Sequence, residues 1–504
     1  MRKKPPASRF EPGPYPESAS RLPPHCLTPV VRRERFEVVF SSPFRGLTER
    51  AAKRALHRFR VRVNRFKLTR KPYIRATLLA DSQVAAAVSV HALEHGLTES
   101  AAWRRVNEYI DEIVPYFNVL AYYRIGYGAS RVFLNLLYKV SVEYENIAAL
   151  DNLSDESIVI YLANHRSNAD YVLLAYVLVG DVSISYAVGE WARAFPLEYV
   201  FKSFGSYFIR RRYREPLYHA VLERYVQLIT RNGVTQGIFP EGGLSRDGLL
   251  GPAKIGLLDY IIGVARDDPA LADRMVIIPV ALNYDRVLED RSLLRELESR
   301  ARRAPPARSI QFLEVTRYLF WNLGRMATGR WKRYGRAAVT IGSPMPLSGW
   351  LTQQRDRHGD LWSISRPARL AEVQGLADKV MSRIGVLIPV TPVALACAAI
   401  QSLGSDFILR EDLLGRMGEM RDVLLELNAR VLRADRDMSE TFDRAWRMLS
   451  MRKILVAEGN GYAVLPRQKQ LVSYYANSVA HLLGPFADGV RQRDALPALA
   501  FLHE

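Results

Sequence analysis

The stretch SIVIYLANHRSNAD, residues 157–170, places an apolar run directly before a cluster of polar residues. Its first seven residues are typical of a buried strand. The apolar run YVLLAYVLV, which follows this stretch, is typical of a buried helix or a second strand. The Asn and Ser residues between the two runs favour a turn. Such a turn is required if His165 and Asp170 are to meet, because side chains five residues apart on an unbroken helix point roughly 140° away from each other.

His165 and Asp170 have a chemical use if the turn brings them together. Asp170 can then hold one imidazole nitrogen, so that the other nitrogen acts as a base toward a hydroxyl group. This is acid–base chemistry without a serine or cysteine nucleophile. A histidine that only caps the start of a helix would give the same residues, so the pair alone does not decide between the two interpretations.

The region after residue 157 contains further short apolar runs, separated by stretches with a helical pattern. These runs are VSISYAV, GSYFIRR, VTQGIF, VIIPVAL and AAVTIGSPMPL. Alternation of this kind predicts an α/β domain, in which sites form at the carboxyl ends of the strands.

Three of these runs carry polar clusters. Gly205 in GSYFIRRRY allows another group to approach the backbone closely. One or two of Arg210–Arg212 can bind a phosphate through two hydrogen bonds of the guanidinium, or they can lie on a solvent-exposed edge. Glu241 in FPEGGLSRDG precedes two glycines, whose backbone N–H groups can face an anion or form an ordinary turn. Pro279 in IIPVALNYD is unusual for a central strand and suggests an edge, a bulge or a wall shaped for a ligand.

The order and spacing of these clusters carry more information than any one of them. NHRSNAD, GSYFIRR, FPEGGLSR and VIIPV together resemble the glycerolipid acyltransferase superfamily, and most closely the bacterial-type glycerol-3-phosphate acyltransferases. The resemblance is strong over roughly residues 150–350. It implies an α/β fold, an acyltransferase-type mixed sheet with surrounding helices, flanked by helical N-terminal and C-terminal domains.

The resemblance also implies roles for individual residues. His165 would be the general base that takes the proton of the acceptor hydroxyl, and Asp170 would orient it and balance its charge. The acceptor site would contain Gly205, Phe208, Ile209, Arg210, Arg211, Glu241, Gly242, Gly243, Ser245 and Arg246. Lys254 is a further candidate for phosphate binding, and Pro279 would line the acyl or acceptor pocket.

The reaction implied is transfer of a fatty acyl group from acyl-CoA, or from acyl carrier protein, to the sn-1 hydroxyl of glycerol 3-phosphate. Neither a metal nor a bound organic cofactor is implied, since coenzyme A enters as part of a substrate. One residue departs from the pattern: Leu244 stands where related enzymes usually carry Arg after E-G-G or E-G-T. This departure keeps dihydroxyacetone phosphate, lysophosphatidate or another lipid hydroxyl open as the acceptor.

The rest of the chain predicts four parts. They are a flexible basic arm at 1–45, a mainly helical N-terminal domain at 46–150, the α/β domain at 151–390 and a mainly helical C-terminal domain at 391–504. Residues 47–71 fit either an alternating strand or a basic amphipathic helix. Thr391 followed by Pro392 predicts a helix start at the last boundary.

The net charge of +19 is concentrated at the N-terminus, because residues 1–71 hold 19 Lys and Arg against five Asp and Glu, a net of +14. Such a basic segment is attracted electrostatically to an anionic surface, either nucleic acid or acidic lipid. Neither a zinc-finger spacing nor an RNA-recognition signature is present, so we expect no nucleic acid partner. The alternative function is a basic nucleic-acid-binding or membrane-surface scaffold protein without activity. The absence of a run of ~18 apolar residues predicts peripheral binding, which we place on an anionic surface at the cytoplasmic face of the cell membrane. Two distant cysteines fit a reducing compartment.

Overall fold

The computed structural model describes residues 71–115, 128–178, 185–189, 202, 205–210, 213–301 and 333–484. Several predictions fall outside these residues: the basic arm at 1–45, the two readings of 47–70, Arg211, and apolar stretches at 116–127 and 309–324 that could add membrane contact. The three boundaries between the four predicted parts stay predictions.

A mixed sheet forms the centre of the described structure. Its eight strands among the described residues are β1 (Lys139–Tyr144), β2 (Ile158–Ala163), β3 (Ser185–Gly189), β4 (Tyr207–Ile209), β5 (Gln236–Ile238), β6 (Met275–Tyr284), β7 (Arg336–Ile341) and β8 (Met345–Pro346). Their spatial order is β1-β7-β6-β2-β5-β3-β4, and β8 pairs with β6 beyond that path.

The strand directions decide where a site can form. The neighbours β6, β2, β5, β3 and β4 pair in parallel, whereas β7 pairs antiparallel to β6. The carboxyl ends of five strands therefore meet at one edge of the sheet, and the polar clusters follow three of them, β2, β4 and β5. Every residue of β2 and β6 is buried, which is why these strands read as continuous apolar runs and do not alternate.

Helices cover both faces of the sheet. Before the C-terminal part they are α1 (Lys71–Leu79), α2 (Ser82–His95), α3 (Glu99–Ile113), α4 (Gly128–Leu137), α5 (Ile147–Asp151), α6 (Ala169–Leu178), α7 (Pro216–Arg231), α8 (Gly256–Ile262), α9 (Val264–Asp267), α10 (Asp290–Ala301), α11 (Leu347–His358) and α12 (Arg366–Leu387). Ile158, Ile160 and Leu162 pack with α1–α3, α7, α8 and α12, whereas Val159 and Tyr161 belong to a second cluster with α4 and α6. The sheet is thus the middle layer between two hydrophobic clusters.

The C-terminal part is helical with a small antiparallel sheet. It contains α13 (Pro392–Leu403), β9 (Phe407–Leu409), α14 (Arg410–Glu426), α15 (Met438–Met451), β10 (Leu455–Glu458), β11 (Gly461–Val464), α16 (Lys469–Asn477) and α17 (Ala480–Leu483). The predicted helix start is confirmed, since the Thr391 hydroxyl accepts the Ala394 N–H at 3.3 Å and Pro392 opens α13. The buried residues of α13 share one hydrophobic cluster with Val159 and Tyr161 of β2.

The predicted sheet is confirmed, with three differences. The strand β1 was not predicted, because it lies in a stretch with a mostly helical pattern. The three short strands of the C-terminal part were not predicted either. The expectation that Pro279 marks an edge strand is wrong, because β6 lies between β2 and β7. The Pro279 carbonyl accepts the Gly342 N–H at 2.8 Å, so its missing N–H points to the side where β7 has already ended at Ile341.

Membrane-spanning length was also assessed. Among the described residues, no single helix is long and apolar enough to cross a bilayer. The helices α1 and α2 meet the length and composition only as a pair, with a 60° bend between them.

Candidate active site

The junction between β2 and α6 forms the turn that the sequence requires. The His165 Nδ1 atom lies 2.9 Å from the Asp170 Oδ2 atom, and both side chains are almost fully buried. The Ser167 hydroxyl accepts the Ala169 N–H at 3.1 Å at the start of α6. The polar residues of the junction therefore both end the strand and begin the helix, which places Asp170 in the first helical turn, where the helix dipole favours a negative charge.

The Asp170 carboxylate accepts several hydrogen bonds besides that of His165. Its Oδ2 atom accepts the N–H groups of Arg166 at 2.7 Å and Ser167 at 3.0 Å. Its Oδ1 atom accepts the Tyr284 hydroxyl at 2.5 Å. Donors of this kind stabilise the ionised carboxylate in a buried site, so Asp170 can hold His165 with the proton on Nδ1.

Asn164 fixes the position of this turn relative to the neighbouring strand. Its amide donates to the Leu282 carbonyl at 2.9 Å and accepts the Leu282 N–H at 2.7 Å. The side chain thus continues the β2–β6 ladder one step past the end of β2. The His165 ring then stacks on Phe239 at 4.1 Å between centroids and lies edge-on to Tyr171.

Glu241 holds the same turn from the FPEGG segment. Its Oε1 atom accepts the His165 N–H at 2.7 Å, and its Oε2 atom accepts the Gly251 N–H at 3.0 Å. Burial raises the pKa of the Glu241 carboxyl to about 7, against the opposing influence of the Arg166 guanidinium and the two N–H donors. In this arrangement Glu241 orders the backbone of the turn that carries His165.

Two family descriptions match this chain. Residues 142–283 match the acyltransferase family model, and residues 320–487 match the model of the glycerol-3-phosphate acyltransferase C-terminal region. The chain is thus similar to acyltransferases over both of these regions. The resemblance seen in the sequence is thereby confirmed.

Curated relatives carry the same family name. A glycerol-3-phosphate acyltransferase of Aeromonas hydrophila is 28% identical over 82% of this chain and 50% of its own length. Proteins of the same name from Pseudoalteromonas atlantica and Xylella fastidiosa are 27% and 26% identical, over 82% and 80% of this chain and 50% and 46% of their own. The chain spans about half the length of the curated relatives it matches.

A solved structure is also similar. The 1-acyl-sn-glycerophosphate acyltransferase of Thermotoga maritima is 17% identical over 51% of this chain and 77% of its own, with a TM-score of 0.28. A score this low carries no weight for the fold, which rests on the strand order described above.

The remaining residues of the FPEGG motif shape one loop. Gly242 has φ 65°, and a Cβ atom there would lie 2.7 Å from the Lys254 Cδ atom, so the glycine lets the lysine stem pass. Gly243 is half-buried beside it. The Ser245 hydroxyl donates to the Leu249 carbonyl at 2.7 Å and accepts the Gly248 N–H at 3.1 Å.

Arg246 points from this loop toward α10. Its Nη2 atom donates to the Glu296 Oε1 atom at 2.9 Å, and both side chains are partly exposed. Leu244 packs against the hydrophobic cluster that contains the C-terminal helices. The loop therefore presents its cation already paired with a carboxylate.

The GSYFIRR motif lies farther away along the same edge of the sheet. Gly205 has φ 83°, Phe208 is buried and Ile209 is half-buried. The Arg210 guanidinium forms a two-pronged ion pair with Glu112 of α3, with Nε 2.8 Å and Nη2 2.5 Å from its oxygens. The strand β4 is three places away from β2 in the sheet, which at a strand spacing of about 4.8 Å separates the two strands by roughly 14 Å.

Two residues that contact the turn and its neighbouring segments were not predicted from the sequence. Arg166 is buried, and its guanidinium donates to the Gly248 carbonyl and, at 3.3 Å, to the Ser478 carbonyl. Glu289 accepts the Ser167 hydroxyl at 2.7 Å, and burial raises the pKa of the Glu289 carboxyl to about 7. An arginine or glutamate in a polar run gives no sign of such burial, because charged residues are usually exposed.

A metal-binding cluster of side chains is not found among the described residues. Within those residues, no group of three or more His, Cys, Asp or Glu side chains is placed to hold an ion.

Proposed function

We propose that this chain transfers a fatty acyl group from an acyl thioester to the sn-1 hydroxyl of glycerol 3-phosphate and so forms lysophosphatidate. The observation that carries the proposal is the buried His165–Asp170 pair, in which the carboxylate holds the Nδ1 side of the imidazole at 2.9 Å. The names of the curated relatives support the acceptor. Acyl-CoA or acyl carrier protein is the donor class.

The proposed chemistry follows from the tautomer that Asp170 favours. With its proton on Nδ1, His165 has its basic lone pair on Nε2, which takes the proton of the acceptor hydroxyl. The oxygen attacks the thioester carbonyl, and the C–S bond breaks when the thiol leaves with the proton carried by the imidazolium. The products are an ester and a thiol, and the balance requires no metal or bound organic cofactor.

The proposed acceptor site lies around the FPEGG loop and the GSYFIRR motif. Lys254 and Arg246 are the candidate phosphate ligands on the loop, and Arg210 and Arg211 are the candidates on the motif. A phosphate at Arg210 or Arg246 has to compete with the carboxylates that already bind them. Pro279 remains a proposed wall of the pocket.

A second acceptor is favoured by one observation. Leu244 is apolar and packs against a hydrophobic cluster, so the loop lacks a guanidinium at that position. A charged hydrogen bond of this kind is worth about 1.5–3 kcal/mol, and its absence keeps dihydroxyacetone phosphate, lysophosphatidate or another lipid hydroxyl as alternative acceptors.

One assay tests the proposal and ranks the acceptors. Purified protein receives one long-chain acyl-CoA and, separately, glycerol 3-phosphate, dihydroxyacetone phosphate or lysophosphatidate, and thiol release is followed. We expect acyl transfer that falls by about 10²–10⁴ in His165→Ala. The matched control is His91→Ala, which removes a buried histidine that pairs with Glu215 on another part of the fold. Full turnover in folded His165→Ala would contradict the mechanism.

We also propose that the enzyme binds peripherally to an anionic membrane at the cytoplasmic face. The support is the net +14 of residues 1–71, since each Lys or Arg near an acidic surface contributes roughly 1 kcal/mol. Sedimentation with liposomes should show stronger binding to anionic than to neutral lipid, less binding at high salt, and a loss when residues 1–30 are deleted. Binding that ignores both salt and lipid charge would contradict this account.

A further inference from the structure

Tyr284 is the last residue of β6, and its side chain reaches the catalytic turn. The residue is fully buried, and its hydroxyl donates to the Asp170 Oδ1 atom at 2.5 Å. The Asn164 amide bonds the backbone of Leu282, which is two residues earlier on the same face of β6. The position of Tyr284 relative to Asp170 is therefore fixed by the sheet itself.

The two oxygens of Asp170 have different partners. The Oδ2 atom faces His165 and the N–H groups of Arg166 and Ser167, whereas the Oδ1 atom accepts the Tyr284 hydroxyl. Rotation of the carboxylate about its Cβ–Cγ bond would break the contacts on both sides. Tyr284 thus restrains the one torsion that decides which oxygen His165 meets.

The direction of the hydrogen bond is settled by the environment of the phenol. Burial, together with the negative charge of Asp170, raises the pKa of Tyr284 well above its ordinary value, so the hydroxyl keeps its proton and donates it. The charged groups that face this part of the turn are Glu241, Glu289 and Arg166.

We propose that Tyr284 is a positioning residue of the acyl-transfer site, which holds Asp170 so that its Oδ2 atom meets the His165 Nδ1 proton. This inference rests on the proposed function for its kinetic consequence. Its structural consequence, the state of the His165 Nδ1–H bond, does not depend on any activity.

The neighbouring Tyr138 provides a matched control. Its ring lies 5.3 Å from that of Tyr284 in the same buried cluster, but its hydroxyl donates to the Arg286 carbonyl at 2.8 Å. Tyr138→Phe and Tyr284→Phe each remove one buried phenol oxygen that forms one hydrogen bond. They differ in whether that bond reaches Asp170.

The kinetic test compares kcat and KM of the two variants in the acyl-transfer assay. We expect Tyr284→Phe to lower kcat by about 10–100-fold while KM for the acceptor changes less than about threefold, because the hydroxyl does not touch substrate. Tyr138→Phe should keep kcat within about threefold of the wild type. In an Asp170→Asn background, Tyr284→Phe should cost much less than it does alone, since the two residues act as a unit.

The second test is the proton NMR signal of the His165 Nδ1–H group in protein labelled at histidine with ¹⁵N, assigned by its loss in His165→Ala. We expect this signal to shift or broaden in Tyr284→Phe and to stay unchanged in Tyr138→Phe. Should Tyr284→Phe fail to fold, Tyr284→Met and Tyr138→Met provide the same comparison.

The outcomes separate the possibilities. Equal losses of kcat in the two variants, or an unmoved Nδ1–H signal in Tyr284→Phe, would overturn the positioning role and leave Tyr284 as a core residue. If the wild type transfers no acyl group to any acceptor, the proposed function fails, and the NMR comparison still decides whether Tyr284 holds the His165–Asp170 pair.

Discussion

Replacing Asp170 by Asn removes the negative charge of this carboxylate while keeping its shape. The amide oxygen can take the place of Oδ2 and accept the N–H groups of Arg166 and Ser167 as well as the His165 Nδ1 proton. The amide nitrogen then faces the Tyr284 oxygen, which can accept from it. We therefore expect Asp170→Asn to fold, and to keep the imidazole tautomer, while losing the negative charge beside the imidazolium that forms during the reaction.

The size of the loss follows from the distance between the two groups. With Nδ1 and Oδ2 2.9 Å apart, the centres of the two charges lie roughly 4 Å apart. At the effective dielectric constant of about 20 that suits protein sites, this pair is worth about 4 kcal/mol. Since about 1.4 kcal/mol corresponds to a factor of ten in rate, kcat should fall by roughly 10³.

The assay measures kcat for acyl transfer to the preferred acceptor, with circular dichroism and thermal unfolding as tests of the fold. Asp285→Asn is the matched control, because Asp285 is also a buried carboxylate that accepts backbone N–H groups, from Arg336 at 2.8 Å and Val393 at 3.4 Å. It should lose at most a few-fold of the activity. A folded Asp170→Asn protein with kcat within about threefold of the wild type would refute the electrostatic reasoning.

Three further outcomes are expected. The pKa of Glu289 is raised to about 7 from an ordinary 4.5, so between these pH values the native state keeps a proton that the unfolded chain loses. The free energy of unfolding should therefore decrease as the pH rises from about 4.5 to 7, by at most roughly 3 kcal/mol relative to Glu289→Gln, as measured by urea titrations. Gly248→Ala should destabilise the fold by roughly 2–5 kcal/mol, since φ is 88° and the new Cβ would lie 1.9 Å from the Tyr474 carbonyl oxygen. Arg246→Gln should raise the KM for a phosphate-bearing acceptor about tenfold and that for acyl-CoA by less than twofold, if the guanidinium exchanges Glu296 for phosphate.

Each of these outcomes has a result that would contradict it. A wild-type pH slope equal to that of Glu289→Gln would show that the carboxyl is not desolvated. Gly359→Ala is the control for Gly248→Ala, since φ is 75° there and a Cβ would meet nothing within 4 Å; equal destabilisation would mean that strain alone matters. Equal changes of both KM values in Arg246→Gln would assign that residue a structural role.

The sequence was most informative where local rules and global fold coincide. The apolar runs of β2 and β6 predicted strands of an α/β domain, and the Asn and Ser residues after β2 favoured the turn that joins His165 to Asp170. Both are confirmed because they depend on residues close together in the chain.

The strand β1 could not be foreseen in the same way. Its sequence KVSVEY is half-exposed, and it is fixed in the sheet by parallel pairing with β7, almost 200 residues later. Local propensity does not encode such pairing.

The burial of Arg166 and the ion pair between Arg210 and Glu112 could not be predicted from the sequence either. Each depends on a partner brought close only by the tertiary fold, 98 residues away for Glu112 and 312 residues away for Ser478. A sequence shows that an arginine is present, but it does not show which carboxylate or carbonyl will occupy its guanidinium.

The bond between Arg166 and the Ser478 carbonyl has a consequence for the timing of synthesis. The catalytic turn is made 312 residues before the carbonyl that helps to hold it. At about 5–20 residues per second, translation needs roughly 15–60 s to cover that interval. During that time the nascent chain carries His165 and Asp170 beside a guanidinium that has yet to meet this partner, so the turn reaches its final hydrogen bonding only after Ser478 has been translated.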